Sequence, residues 1–252
     1  DPDNFDAFYN RVRTLIDTGE LEKALKDLNK AINIKPDDEI LLANRGSVFG
    51  QLGQLKKAFD DYDEAIRIDP ENESFFNNRG SLYGDLNENE KAIGDFNRAV
   101  SINPDFAMTY FNRASIYSQL GQFEKEVEDH NKAIEIDPDN YQYHTNRGTA
   151  HANLNEFEKA IEDYSKAISI NPDSARAFNN RGNVFRLLGK NINAIEDLKK
   201  AINIESDSSS AYFNLGLAYE SNDNKEKAAW AYNQFLKMPG NDETEDDEAK
   251  KH

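Results

Sequence analysis

Apolar residues recur along this chain in two classes, large and small, and the pattern returns every 34 residues. Taking Phe5, Glu39, Glu73, Ala107, Tyr141, Ala175 and Ser209 as position 1 gives seven repeats in one register. Position 4 is large (Phe8, Leu42, Phe76, Tyr110, His144, Phe178, Tyr212) and position 8 is small (Val12, Gly46, Gly80, Ala114, Gly148, Gly182, Gly216). Position 11 is large again, from Leu15 and Phe49 to Phe185 and Tyr219. The spacing i, i+4, i+7 is one face of an α-helix. Positions 20, 24 and 27 show the same spacing and predict a second helix. Alanine fills position 20 in six of seven repeats, a large residue fills 24, and alanine fills 27 six times before Phe235. Small residues then oppose large ones, so the two helices of a repeat are expected to pack closely as an antiparallel hairpin.

The punctuation agrees with the periodicity. Position 15 reads Gly19, Gly53, Asn87, Gly121, Asn155, Gly189 and Asp223, residue types that tolerate the left-handed conformation ending a helix. Pro36, Pro70, Pro104, Pro138 and Pro172 stand at position 32, where a missing N–H and a fixed φ stop the second helix. An acid follows at position 33 in six repeats, suited to capping or electrostatically favouring the next helix start. The repeats are bounded as residues 5–38, 39–72, 73–106, 107–140, 141–174, 175–208 and 209–242. Residues 1–4 match the end of a missing preceding repeat. Residues 243–252 lie in an acidic tail expected to be disordered.

These residues resemble the tetratricopeptide repeat family, and the resemblance covers residues 5–242. It implies an all-α fold, an α-solenoid of seven antiparallel helix hairpins wound into a right-handed superhelix. First helices would line a concave groove and second helices would lie outside. The family is mostly a protein- and peptide-binding scaffold, so the resemblance also implies a protein or extended peptide as partner.

Composition narrows the alternatives. The formal charge is −17, from 47 acids against 30 bases, which argues against nucleic acid as a partner, since such affinity rests on cationic contacts. The chain has no cysteine for a disulfide or thiolate metal site and no apolar run long enough for a membrane span. No nucleotide-binding glycine loop, metalloprotease helix or nucleophile–histidine pairing appears, so no catalytic residue, cofactor or metal is assigned.

Two features go beyond packing. Position 7 is arginine in six repeats (Arg11, Arg45, Arg79, Arg113, Arg147, Arg181), and position 23 is aspartate in the same six (Asp27, Asp61, Asp95, Asp129, Asp163, Asp197). Both change together in the seventh repeat, to Leu215 and Ala231, which predicts a partly buried, charge-assisted pair within each repeat. Position 6 is asparagine in all seven repeats: Asn10, Asn44, Asn78, Asn112, Asn146, Asn180 and Asn214. Helical propensity does not explain it. The row resembles the asparagine ladder of the repeat domains of O-linked N-acetylglucosamine transferases, which hold peptides. A primary amide carries both donors and an acceptor, so a row of amides suits a peptide backbone. The same amides could instead brace neighbouring helices. Arg176 and Arg186 offer a dock for an acidic ligand residue.

The carboxylate clamp of the family's co-chaperone members needs lysine at position 5 and arginine at position 6. Position 5 here holds no lysine and position 6 no arginine, so chaperone-tail binding is not expected. His130, His144 and His151 fall around one repeat junction with Glu126, either as a metal site or as packing substitutes for aromatic residues. The expected function is a non-enzymatic scaffold holding an extended peptide on the asparagine row. The alternative is an assembly protein that self-associates, with a homodimer through an uncapped N-terminal end exposing Phe5 and Phe8.

Overall fold

The computed structural model describes residues 5–238, with side chains from Phe8 onward. The expectations for residues 1–4, for the acidic tail and for the Phe5 side chain lie outside the described residues. Within them the chain is all helical and runs as consecutive pairs. These are α1 (Phe5–Asp17), α2 (Leu21–Ile34), α3 (Glu39–Gln51), α4 (Leu55–Ile68), α5 (Glu73–Asp85), α6 (Asn89–Ile102) and α7 (Ala107–Gln119). They continue with α8 (Phe123–Ile136), α9 (Tyr141–Asn153), α10 (Phe157–Ile170), α11 (Ala175–Leu187), α12 (Asn191–Ile204), α13 (Ser209–Ser221) and α14 (Lys225–Phe235). Two compact units divide inside α7, after Ile116.

The turn inside each hairpin has one cause throughout. All seven position-15 residues have positive φ, from 56° at Asp223 to 72° at Gly19. This left-handed residue lets the next N–H reach back to the first helix, as Gln54 donates to the Phe49 carbonyl at 2.8 Å and Glu88 to that of Tyr83 at 2.9 Å. The second helices from α2 to α12 stop two residues before position 32. The capping residue differs from the sequence expectation. It is position 34, not the acid at 33: Asp38 accepts from the Leu41 N–H at 3.0 Å, Asn72 from Ser74 at 3.2 Å and Asn140 from Gln142 at 3.1 Å. The position-33 N–H instead donates to the side chain at position 31, as Asp105 does to Asn103 at 3.0 Å. The acid at 33 closes the loop through its backbone and leaves the cap to its neighbour.

In the first unit Leu28, Leu41, Val48, Tyr62 and Phe75 form the buried core, with a smaller cluster at Phe96 and Ile116. In the second, Tyr164 packs with Val184, and Leu198, Leu215, Tyr232 and Phe235 fill the C-terminal hairpins. Position 8 is buried in every repeat, as the small–large pattern requires.

Candidate functional site

The position-7 arginines are placed first, because they fix the helices that carry the asparagines. Arg45 donates Nε and Nη2 to the two Asp61 oxygens, both at 2.7 Å, and Arg79 does the same to Asp95. Arg147–Asp163 and Arg181–Asp197 repeat the geometry. The pairing expected within a repeat is present, and it is half of the arrangement. The remaining Nη1 reaches back to position 25 of the preceding repeat. Arg45 bonds to Asn29 at 3.0 Å, Arg79 to Asp63 at 2.6 Å and Arg113 to Asn97 at 2.6 Å. Arg147 bonds to Asn131 at 2.7 Å and Arg181 to Ser165 at 2.8 Å. Each arginine is therefore a staple between hairpins. The Arg79–Asp95 hydrogen bond raises the Arg79 pKa above its usual range, and Asp63 adds to the effect. Arg11 pairs with Asp27 and is 60% exposed, against 17–22% for Arg45, Arg79, Arg147 and Arg181. The missed signal was position 25. It is short and polar in the first five repeats and becomes Lys199 just before the repeat that carries Leu215.

An aromatic ring covers most staples. The guanidinium carbon lies 5.7 Å from the ring centre for Arg45 over Phe49 and Arg79 over Phe76, and Arg181 lies between Phe178 and Phe185. In the fifth repeat the covering positions hold His144 and His151. Their rings approach the two Asp163 oxygens at 3.8 and 3.9 Å, and His151 Nδ1 lies 2.6 Å from Glu156. Burial works to raise the Asp163 pKa, but His144 and Arg147 outweigh it and hold it below the usual range. His130 is buried and faces Glu126 at 3.8 Å instead. The histidines thus face three carboxylates, Asp163, Glu156 and Glu126. Among the described residues no group of three or more His, Asp or Glu could hold a metal ion.

The position-6 asparagines are half-buried apart from Asn10, and bracing uses part of the amide at Asn78, Asn112, Asn180 and Asn214. In the first unit Asn112 Nδ2 donates to Asn77 Oδ1 at 3.1 Å and Ser81 Oγ at 3.3 Å, while Asn77 donates to Asn78 Oδ1 at 3.3 Å. In the second unit Asn214 donates to Asn179 at 3.1 Å, Asn179 to Asn180 at 3.3 Å and Asn180 to Thr149 at 3.4 Å. Asn10 is exposed and accepts from Arg13 at 3.3 Å. It lines a cavity of about 310 Å3 with Asn44, Tyr9 and Ser47. Asn146 Oδ1 is buried with no hydrogen-bond partner among the described residues. What bracing leaves over differs between neighbours: Asn78 keeps its N–H donors, whereas Asn112 keeps its oxygen.

Sequence reasoning missed a contribution from the second helices. In three of the five repeats with glycine at position 8, a tyrosine at position 24 lies against the bare backbone and extends past it. Tyr62 passes Gly46 and approaches Ser47, and Tyr164 passes Gly148 to bond Thr149 at 3.2 Å. Tyr232 passes Gly216 to bond Glu220 at 3.0 Å. Burial pushes the Tyr62 and Tyr164 phenols up to about 12, so both are neutral donors. The signal was present in the sequence, since all three position-24 tyrosines face a position-8 glycine. Tyr62, Asn78, Ser81 and Asp85 share a cavity of about 180 Å3.

The two candidate cations differ. Arg176 is exposed and lines a cavity of about 260 Å3 with Tyr141, Thr145 and Glu205. Arg186 is half-buried and donates to Asn183 at 2.8 and 3.2 Å; burial lowers its pKa against the opposing effect of Tyr232.

The sequence matches the TPR repeat over residues 13–53, 46–87, 80–121, 152–189 and 182–223. It matches further tetratricopeptide repeat patterns over 108–140, 209–242 and 131–162. The chain belongs to the tetratricopeptide repeat family. Its tetratricopeptide hairpins are a scaffold for protein–protein interaction, and the family is generally non-enzymatic. Among solved structures it is similar to a tetratricopeptide repeat protein from Parabacteroides merdae, with a TM-score of 0.69 and 23% identity, covering 98% of this chain and 97% of that one. PilF of Pseudomonas aeruginosa matches with a TM-score of 0.71 and 18% identity over 82% of this chain and 94% of its own. YrrB, described as a TPR protein with an unusual peptide-binding site, matches at 0.62 and 20% over 76% and 98%. At these identities the likeness is one of fold. No curated protein matches the sequence.

Proposed function

We propose that this chain is a non-enzymatic scaffold that holds an extended protein segment against its position-6 asparagines. The observation that carries the reading is the way bracing divides the amides of Asn78 and Asn112. Asn77 occupies the oxygen of Asn78 and leaves that amide's N–H groups, while Asn77 and Ser81 occupy the N–H groups of Asn112 and leave its oxygen. A peptide backbone offers the complementary carbonyl and N–H. The internal bonds pre-orient the amides, so less ordering is needed when a ligand arrives. A neighbour of the same fold, YrrB, carries a peptide-binding site. Arg176 and Arg186 supply positive charge for an acidic ligand residue.

The test is peptide-library selection on the chain and on two variants. Asn78→Asp keeps the oxygen that accepts from Asn77 and removes the N–H groups offered to ligand. Asn78→Ala, Asn112→Ala and Asn146→Ala together remove the amides outright, with melting curves to establish that the fold persists. Peptides enriched on the unmutated chain and lost on folded Asn78→Asp are expected. Equal enrichment on all three proteins would locate binding elsewhere, and a mass that rises with concentration would favour self-association.

A further inference from the structure

The Asp85 carboxylate is out of place by every local criterion. It is the last residue of α5, where the carbonyl ends of the helix carry partial negative charge and disfavour an anion. It is exposed, and among the described residues it makes no hydrogen bond or ion pair. Helix stability and packing therefore give no reason for an acid here. Asp85 lines a cavity together with Tyr62, whose ring packs against the bare Gly46. Asn78, Ser81 and Gln51 add polar atoms, and Leu82 with the bare Gly50 supplies an apolar wall. A wall of that kind leading to an unpaired carboxylate fits a side chain with an aliphatic stem and a cationic head.

We propose that this cavity takes a lysine or arginine side chain of the bound segment. The proposal rests on the reading of the asparagine face as a peptide site, and it adds the class of residue read there. Asn78 lines the cavity, so the backbone contact and the side-chain contact fall at the same place. The neighbouring cavity shares Ser47 but carries Arg13, so a basic residue is repelled there and the register is fixed. A net charge of −17 draws cationic segments toward the chain before they dock.

The experiment is peptide selection on the unmutated chain, Asp85→Asn and Asp85→Lys, with Asn78→Asp marking which peptides use the asparagine face. Asp85 is exposed and stands at a helix C-terminus that disfavours an anion, so both variants are expected to melt at or slightly above the unmutated chain. Peptides dependent on Asn78 should carry lysine or arginine at one fixed position. Asp85→Asn should weaken the best of them about fivefold, the size of an exposed ion pair, and leave their alanine-substituted versions unaffected. Asp85→Lys should shift the preference at that position to aspartate or glutamate. Asn78-dependent peptides with no basic position, or with the same one on Asp85→Asn, overturn this inference and leave the scaffold reading standing. No Asn78-dependent peptide at all overturns both.

Discussion

A glycine at position 8 has two neighbours to satisfy, its own helix and the ring opposite. A Cβ built on Gly216 would lie 2.4 Å from Tyr232 Cε1 and 2.5 Å from Cδ1. Gly94, in the exposed face of α6, would meet nothing within 4 Å. Gly216→Ala is therefore expected to lower stability by about 1–3 kcal/mol through overpacking. Gly94→Ala should raise it by about 0.8–1 kcal/mol through helix propensity. Urea denaturation of both variants checks the opposite signs; two changes of the same sign would mean that propensity, not the ring, decides at position 8. The small–large rhythm was legible in the sequence because a close approach of helices permits few residue types. That a tyrosine would extend past the glycine to the opposite face was not legible, since a periodic pattern assigns a residue to one face and a phenol spans two. The capping residue was misplaced for a similar reason: positions 33 and 34 are both polar in every repeat but the one that carries Phe106, and backbone geometry separates them.

At the scale of hairpins, the staple explains which residues change together. Leu215 is buried, Ala231 stands where an aspartate would, and Lys199 at position 25 lies near Tyr219 on α13. Restoring arginine alone, as Leu215→Arg, would bury a guanidinium with no carboxylate and with an ammonium nearby. A loss of about 3 kcal/mol or more is expected. Adding Ala231→Asp and Lys199→Asn supplies both partners seen in the other repeats, and the triple variant should recover most of that loss. A triple variant no more stable than Leu215→Arg, by thermal melting, would show that the staple does not transfer between repeats. The arginine–aspartate half of this device could be read from covariation inside one chain. The position-25 half could not, because asparagine, aspartate and serine look interchangeable with any solvated face until a donor is seen to reach them. The asparagines pose the same problem in reverse. Sequence placed bracing and ligand contact as alternatives, and the structure shows bracing bonds at Asn78, Asn112, Asn180 and Asn214 that periodicity alone could not assign.

For the molecule as a whole, 47 acids against 30 bases leave a large uncompensated charge. Many of the ion pairs are exposed i, i+3 contacts on second helices or the turns before them, such as Arg67–Glu64 at 2.6 Å and Lys132–Glu135 at 2.7 Å, which contribute little. Repulsion should therefore dominate at low ionic strength. The melting temperature is expected to rise as salt is raised from about 10 to about 200 mM, where the screening length falls below the spacing of distant charges. A falling melting temperature would mean that the staples, not the net charge, set the electrostatic balance. The staple also bears on how such a chain can be inherited. Because each arginine asks the preceding hairpin only for a short polar residue, hairpins of unlike sequence present interchangeable seams, and copying errors that gain or lose a whole unit keep every seam filled. Lys199 is where that freedom stops. An arginine-bearing hairpin copied in after the sixth would meet an ammonium, whereas after any of the first five it would meet a short polar acceptor.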